Sequence, residues 1–380
     1  MSALTILSDE EQSYFDAIKD FAKKEITPHV AAMDEAQQVN TDIVKKLFDM
    51  GLMGIEVPQS LEGSEASFFT AILAVQAVSQ VDPSVGVMVD VQNTLVNNAF
   101  MRWGSDALKK KYLPQLATGK VGSYCLSESS SGSDAFALKT KAVKKADKYV
   151  LTGQKLWITN AGEADIFIII ANLNPEQGYK GITAFVVERG FKGFSVSKKE
   201  NKLGIRASST CELVLEDCEV PLENLLGEEG KGYKVAIETL NEGRIGIGAQ
   251  MVGLAEAALN HAVEYVKTRN QFGKPIASFQ GMQFQLAQMA IDVETAKLMV
   301  YNAARLKDAG KDFVKEAAMA KYHSSQVAER VASLAVECFG GYGFVKDYPV
   351  EKLYRDAKIG KIYEGTSFMQ LMTIGKILLG

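Results

Sequence analysis

The chain has 380 residues, 47% of them hydrophobic, which is enough apolar side chain for a sizeable core spread over two or three domains. Its formal net charge is −4, and Lys and Arg are scattered rather than clustered, which argues against nucleic acid or an anionic membrane surface as the main partner. The longest apolar runs, such as residues 165–171, fall far short of a membrane span, and the four cysteines (Cys125, Cys211, Cys218, Cys338) form no CxxC pair, so free thiols in a reducing compartment are expected.

The first eight residues read as neither a secretory signal nor an Arg-rich transit sequence, and the expectation is a mature or untargeted form. Ser8 or Asp9 caps a first helix running to about residue 32, with Tyr14, Ile18, Phe21 and Ile26 near four-residue spacing. Further helices are expected over 41–50, where Gly51 stops the run, and over 66–81, 83–100 and 107–118. From Gly122 the texture changes. Short runs rich in β-branched and aromatic residues predict strands over 123–127, 137–144, 148–152, 155–159, 165–171, 181–188 and 211–216. These strands predict a β domain inserted between helical blocks. The helical period returns at Gly232, with long helices over 233–269 and 312–339. Between them Met282, Leu286, Met289, Val293, Ala296, Val300 and Ala303 alternate at four and three residues, the seam of an antiparallel bundle.

The chemistry is first narrowed by what is missing. There is no GxxxxGK[ST], no GxGxxG after a strand and no GxSxG elbow, and His29, His261 and His323 are too far apart to suggest a metal cluster. No metal site is therefore expected. Four motifs and one carboxylate remain. Residues 124–134, YCLSESSSGSD, form a small-residue loop after a strand whose backbone N–H groups, with the hydroxyls of Ser127 and Ser133, suit a pyrophosphate, although such loops are usually plain surface. In KLWITNAG, residues 155–162, Trp157 can cover a flat ring while Thr159 offers a hydroxyl to a ring-edge nitrogen; simple core packing explains Trp157 equally well. Arg269 and Phe272 with Gln280 pair a base with an aromatic after a long helix, where the bland reading is a helix stop at Gly273. Residues 337–343, ECFGGYG, permit close backbone approach. Finally, Glu364 stands between Tyr363 and Gly365 in apolar company, where desolvation raises a carboxyl pKa toward the range of a general base. Thr366 or Ser367 then caps a last helix over 368–379.

These elements, in this order along an α–β–α chain, resemble the acyl-CoA dehydrogenase family from end to end. Within it the chain is most similar to the short/branched-chain members, through residues 200–210 (ENKLGIRASST), 241–248 (NEGRIGIG) and 347–352 (DYPVEK). The resemblance implies an α+β fold: an N-terminal helical domain over 1–122, a β-barrel-like middle domain over 123–231 and a C-terminal four-helix bundle over 232–380. It implies FAD held by Tyr124, Leu126, Ser127, Gly132, Ser133, Trp157, Ile158 and Thr159, with Thr366 and Phe368 beside the base. It also implies that Arg269, Phe272, Gln280, Glu337, Gly340 and Gly341 reach the FAD of a neighbouring subunit in a homotetramer, a dimer of dimers. Glu337 departs from the pattern, since many relatives have Gln there. The acyl-CoA contacts implied are Ser133, Tyr179, Tyr233, Asn241, Glu242, Gly243, Arg244 and Gly365.

The mechanism implied is removal of an α-proton by Glu364 and transfer of the β-hydrogen as hydride to flavin N5. A short or 2-methyl-branched acyl-CoA would become its trans-2-enoyl-CoA, as in isoleucine degradation, with electrons passed to electron-transfer flavoprotein. The compartment implied is the mitochondrial matrix in a eukaryote or the cytoplasm in a bacterium. An acyl-CoA oxidase, an enoyl-CoA reductase and a non-catalytic acyl-CoA-binding scaffold are the alternative readings. Acyl chain length is illegible, because the pocket floor is made of apolar side chains whose depth depends on packing.

Overall fold

A computed structural model describes residues 3–380. Helix α1 (Asp9–Phe21) opens on a capping box in which Ser8 accepts from the Glu11 N–H and the Glu11 carboxylate accepts from the Ser8 N–H. The expected continuation to residue 32 is interrupted by a π turn over Ala22–Ile26 and a 3-10 turn over Thr27–His29. Pro28 lacks an N–H there, and regular helix resumes only in α2 (Val30–Ala36). α3 (Thr41–Asp49), α4 (Phe68–Ser79) and α7 (Asp106–Thr118) lie close to their predicted positions.

The helix expected over 83–100 is two, α5 (Pro83–Asp90) and α6 (Asn98–Trp103), joined by a fully buried π segment, Val91–Asn97. Its polar side chains satisfy neighbouring backbone. The Asn93 amide donates to Leu52 O and accepts from the Ile55 N–H, while the Gln92 amide donates to Leu116 O and accepts from the Gly122 N–H. The segment thereby carries the helical block onto the first strand.

The middle block contains β1 (Val121–Cys125), β2 (Lys141–Lys144), β3 (Lys148–Thr159), β4 (Ala164–Asn172), β5 (Ile182–Glu188), β6 (Phe194–Lys199), β7 (Thr210–Pro221) and β8 (Leu225–Leu226). They pair in the order β6-β7-β3-β2-β4-β5-β8, with β1 parallel to β4. β2 pairs with β3 along its length but meets β4 only at Lys141 and Asn172, so the sheet turns there into two leaves, a barrel-like form. Three strand expectations need correction. The runs over 148–152 and 155–159 are one strand, because register shifts on its β7 partner absorb Gly153; the strand expected over 137–144 shortens to β2; and β6 was missed.

α8 (Gly232–Thr268) leads through a small hairpin, β9 (Asn270–Gln271) with β10 (Lys274–Pro275), into α9 (Gln280–Asp308), α10 (Val314–Phe339), α11 (Val350–Ala357) and α12 (Ser367–Leu379). Gly248 of α8 faces Val300 of α9 and Ser324 of α10, and Tyr265 near the end of α8 stacks on Phe339 at the end of α10. α8 and α10 therefore run parallel, with α9 antiparallel to both. The predicted seam is core: Met289, Val293, Ala296, Val300 and Ala303 are buried, with Met282 and Leu286 packed at its edge.

α11, which the sequence reading did not single out, joins the three blocks. Lys352 donates to Asp82 at the start of α5 (3.1 Å) and to Asp356 (2.6 Å), and Asp356 accepts from the Ile205 N–H in the β block. Arg355 pairs with Asp34 (2.8 Å) beyond α1 and donates to Leu203 O.

Candidate active site

Glu364 lies in the turn that enters α12, and both Glu364 (φ 51°) and Gly365 (φ 85°) are left-handed. Glycine adopts this conformation freely, whereas for a glutamate it is strained and persists only where the surroundings enforce it. Here they do. Lys321 of α10 donates to Gly365 O (2.6 Å), Gln370 donates to Glu364 O (3.1 Å) and Gly365 O (2.9 Å), and Thr366 caps α12 by accepting from the Met369 N–H. The Glu364 N–H has no hydrogen-bond partner among the described residues.

Glu364 as a whole is half-buried, yet its Oε2 is sealed from solvent with no hydrogen-bond partner among the described residues. Burial pushes its carboxyl up to about 7, against the pull of the Lys321 and Arg244 cations. Across from it is α8. A Cβ built on Gly243 would stand 2.9 Å from Glu364 Oε2 and 2.7 Å from Leu95 Cδ2, so any larger residue there must shift the carboxylate or the leucine tip. One turn on, a Cβ at Gly246 would collide with the Asp90 carboxyl, which burial holds well above the ordinary range. Arg244 is largely buried, donates to Asn241 Oδ1 (2.8 Å) and leaves its Nε without a partner among the described residues.

The β block supplies the opposing wall. Register slips between Lys155 and Ile158, and Trp157 takes φ 58°, a bulge that turns the indole outward until it is 55% exposed, while Ile158 stays buried against β7. The Thr159 carbonyl is fixed by the Ser123 hydroxyl (2.9 Å). Tyr124 and Leu126 are buried, Ser127 O accepts from the Leu156 N–H, and Gly132 and Ser133 are exposed at the loop tip. The loop is anchored from below by an ion pair that is almost fully buried. Lys155 Nζ donates to Glu128 Oε1 (2.7 Å) and Leu126 O (3.0 Å), and Glu128 accepts from the N–H groups of Lys139 and Thr140. Tyr179 and Tyr233 meet edge to face with ring centres 5.1 Å apart, beside Phe136.

The second predicted set lies elsewhere. Arg269, Phe272, Glu337, Gly340 and Gly341 line a cleft of about 930 Å³, with Gln280 beside it at the first position of α9. Phe272, at φ 54°, is 93% exposed. Arg269 is separated from Gly243 by most of α8, roughly 39 Å at about 1.5 Å per residue, and Glu337 from Lys321 by roughly 24 Å of α10. The two sets occupy opposite ends of the bundle.

Most predicted residues thus fall into one of these two groups, with Thr366 and the exposed Phe368 beside Glu364. Glu242 points differently from its neighbours: it accepts from Asn98 (2.6 Å) and faces Lys307 and Arg102, a network tying α8 to α6 and α9. Lys321, Gln370, Glu128, Lys155 and Phe136 were not singled out as site residues. Lys321 had a visible signal, a lone charge among Ala317, Ala318, Ala320, Ser324 and Ser325 on the buried face of α10.

Comparison with known proteins shows the family and the fold. The acyl-CoA dehydrogenase N-terminal, middle and C-terminal domain models match residues 8–120, 123–218 and 230–379. The chain belongs to the acyl-CoA dehydrogenase family, an oxidoreductase family whose cofactor is FAD. It is 54% identical over 374 residues to a probable short/branched chain specific acyl-CoA dehydrogenase of Dictyostelium discoideum, covering 98% of this chain and 91% of that protein. Its fold matches butyryl-CoA dehydrogenase from Megasphaera elsdenii with TM-score 0.98 and 43% identity over 100% of both chains. A chain in a structure described as the electron transferring flavoprotein of Acidaminococcus fermentans matches equally, with TM-score 0.98, 43% identity and 100% of both chains covered.

Proposed function

We propose that this protein dehydrogenates a short or 2-methyl-branched acyl-CoA between Cα and Cβ to the trans-2-enoyl-CoA, with Glu364 as the base that takes the α-proton. The observation that carries the reading is the Glu364 carboxyl: raised to about 7 by burial and facing Gly243, where a side chain would press on its Oε2. A base tuned near the working pH accepts a proton most effectively. The free Glu364 N–H is placed to donate to a thioester oxygen as negative charge develops on it.

The residues present fit FAD. The bulge leaves the Trp157 face open as a platform, Thr159 and Tyr124 flank it, and the loop over Ser127–Ser133 offers backbone N–H groups and hydroxyls for phosphate oxygens. FAD, when bound, supplies the acceptor for the β-hydrogen and its electron pair. The chain's residues position the acyl group, exclude water from Oε2 and hold the proton at Glu364. Tyr179, Tyr233, Ser133, Asn241, Arg244 and Gly365 are assigned to acyl-CoA, and electron-transfer flavoprotein to electron removal, a partner supported by the Acidaminococcus match.

The distal cleft is assigned to the FAD of a second copy in a dimer of dimers. Supporting this, Phe284, Ile291 and Leu298 form an exposed apolar row at seven-residue spacing on α9, and Phe272 and Phe344 are exposed as well. The test offers straight and 2-methyl-branched acyl-CoAs to the purified yellow protein and reads flavin bleaching. Glu364→Gln should lose roughly 10²–10⁴-fold in turnover while retaining FAD and acyl-CoA binding. Near-normal turnover in that variant would refute the assignment.

A further inference from the structure

We propose that Lys321 is the positioning residue of the base: from the buried face of α10 its ammonium holds the Gly365 carbonyl and sets a cation beside the Glu364 carboxylate. This rests on reading Glu364 as the base. A lysine side chain with no exposed surface is rare without a paired anion. Among the described residues the Lys321 ammonium has no carboxylate within ion-pair distance, and its one hydrogen bond is the 2.6 Å bond to Gly365 O. A buried ammonium is costly, and here it does two things that the base requires. With Gln370 it enforces the left-handed Glu364–Gly365 turn, and it opposes the rise that burial imposes on Glu364.

The other groups facing Glu364 do not replace it. Burial pushes the Asp90 carboxyl from α5 well above the ordinary carboxylate range, and it likewise raises the Tyr124 hydroxyl from β1 and that of the adjacent Tyr363. Arg244 from α8 is the second cation, but its side-chain hydrogen bond goes to Asn241, and among the described residues it makes none to the turn. Lys321 alone combines charge with a grip on the backbone that carries the base. Burial lowers Lys321 itself to about 7, so its charge is present on the acid side of neutrality, where the carboxylate most needs support.

The test uses the holoenzyme labelled with [5-¹³C]glutamate. The Glu364 carboxyl signal is identified by its loss in Glu364→Gln and titrated without substrate in the parent, Lys321→Gln and Lys321→Met. Expected is an upward move of the Glu364 midpoint by about one pH unit in both lysine variants, a tenfold change in proton affinity. The acid limb of kcat/KM against pH should move with it. Lys321→Gln, which keeps a donor for Gly365 O, should recover more kcat than Lys321→Met at high pH. An unmoved midpoint in a folded, yellow Lys321→Gln overturns the proposal, as does failure of both lysine variants to fold, which would make the residue purely structural. Normal turnover in Glu364→Gln overturns the base assignment together with this one; a dead Glu364→Gln with an unmoved Lys321→Gln titration overturns only the role of Lys321.

Discussion

Position 243 carries a hydrogen where any other residue would bring a carbon within 2.9 Å of the Glu364 carboxylate. Gly243→Ala should therefore displace the base by a fraction of an ångström and lower kcat by about tenfold or more, with FAD still bound; a displacement near 1 Å costs about 10²-fold in comparable cases. Removing the carboxylate reverses the constraint. In Glu364→Gly only the Leu95 methyl crowds the position, and a flexible side-chain tip can move, so adding Gly243→Glu should restore part of the activity from the helix side. Flavin bleaching by the double variant no faster than by Glu364→Gly alone would show that the two positions do not share a substrate carbon. Glu364 was legible because its own neighbours, Tyr363 and Gly365, advertise it. Lys321 showed only as a lone charge on an otherwise small and apolar helix face, while its partner, a backbone carbonyl 44 residues away, leaves no trace in local sequence.

The loop between β1 and β2 shows how an element can be set by residues that look incidental. In the serine-rich run, Glu128 reads as one polar residue among many, yet its carboxylate gathers Lys155 and two backbone N–H groups beneath the loop. Burial raises the Glu128 carboxyl, but Lys155 and these donors outweigh it, leaving the group ionised and below the ordinary range. Glu128→Gln would leave the Lys155 ammonium buried without a counter-charge, a loss of about 3–5 kcal/mol when one partner of such a pair is removed. The expected result is a lower Tm and weaker FAD retention, measured together by thermal release of flavin fluorescence; an unchanged release temperature would show that the pair does not support the loop. The elements missed in the sequence have related causes. α11 is only eight residues long and has the charged Lys352 and Asp356 among its buried positions, where apolar side chains are expected, and β6 ends in exposed Lys198 and Lys199 after only a short alternation. The π segment between α5 and α6 was hidden because Gln92, Asn93 and Asn97 read as ordinary helical polar residues until their backbone partners are known.

Across the whole molecule, the order of blocks was readable because hydrophobic period changes at Gly122 and again at Gly232, whereas the contacts that lock the blocks together were not. Lys352 lies between Asp82 and Asp356, and Asp356 in turn caps Ile205, so one short helix touches all three blocks. The predicted flavin residues likewise split between two ends of the bundle, a distance set by the lengths of α8 and α10. That separation has a genetic consequence. In a dimer that exchanges half-sites, a chain bearing Glu364→Gln and a chain bearing Arg269→Ala are each defective alone, but when they pair, one composite centre collects both lesions and the other collects none. Co-expression of the two inactive alleles with separate affinity tags, followed by purification of the doubly tagged species, should recover activity that neither parent shows. If instead each chain built its centre alone, the mixed species would be as inactive as its parents, so complementation between alleles reads directly whether a flavin is shared.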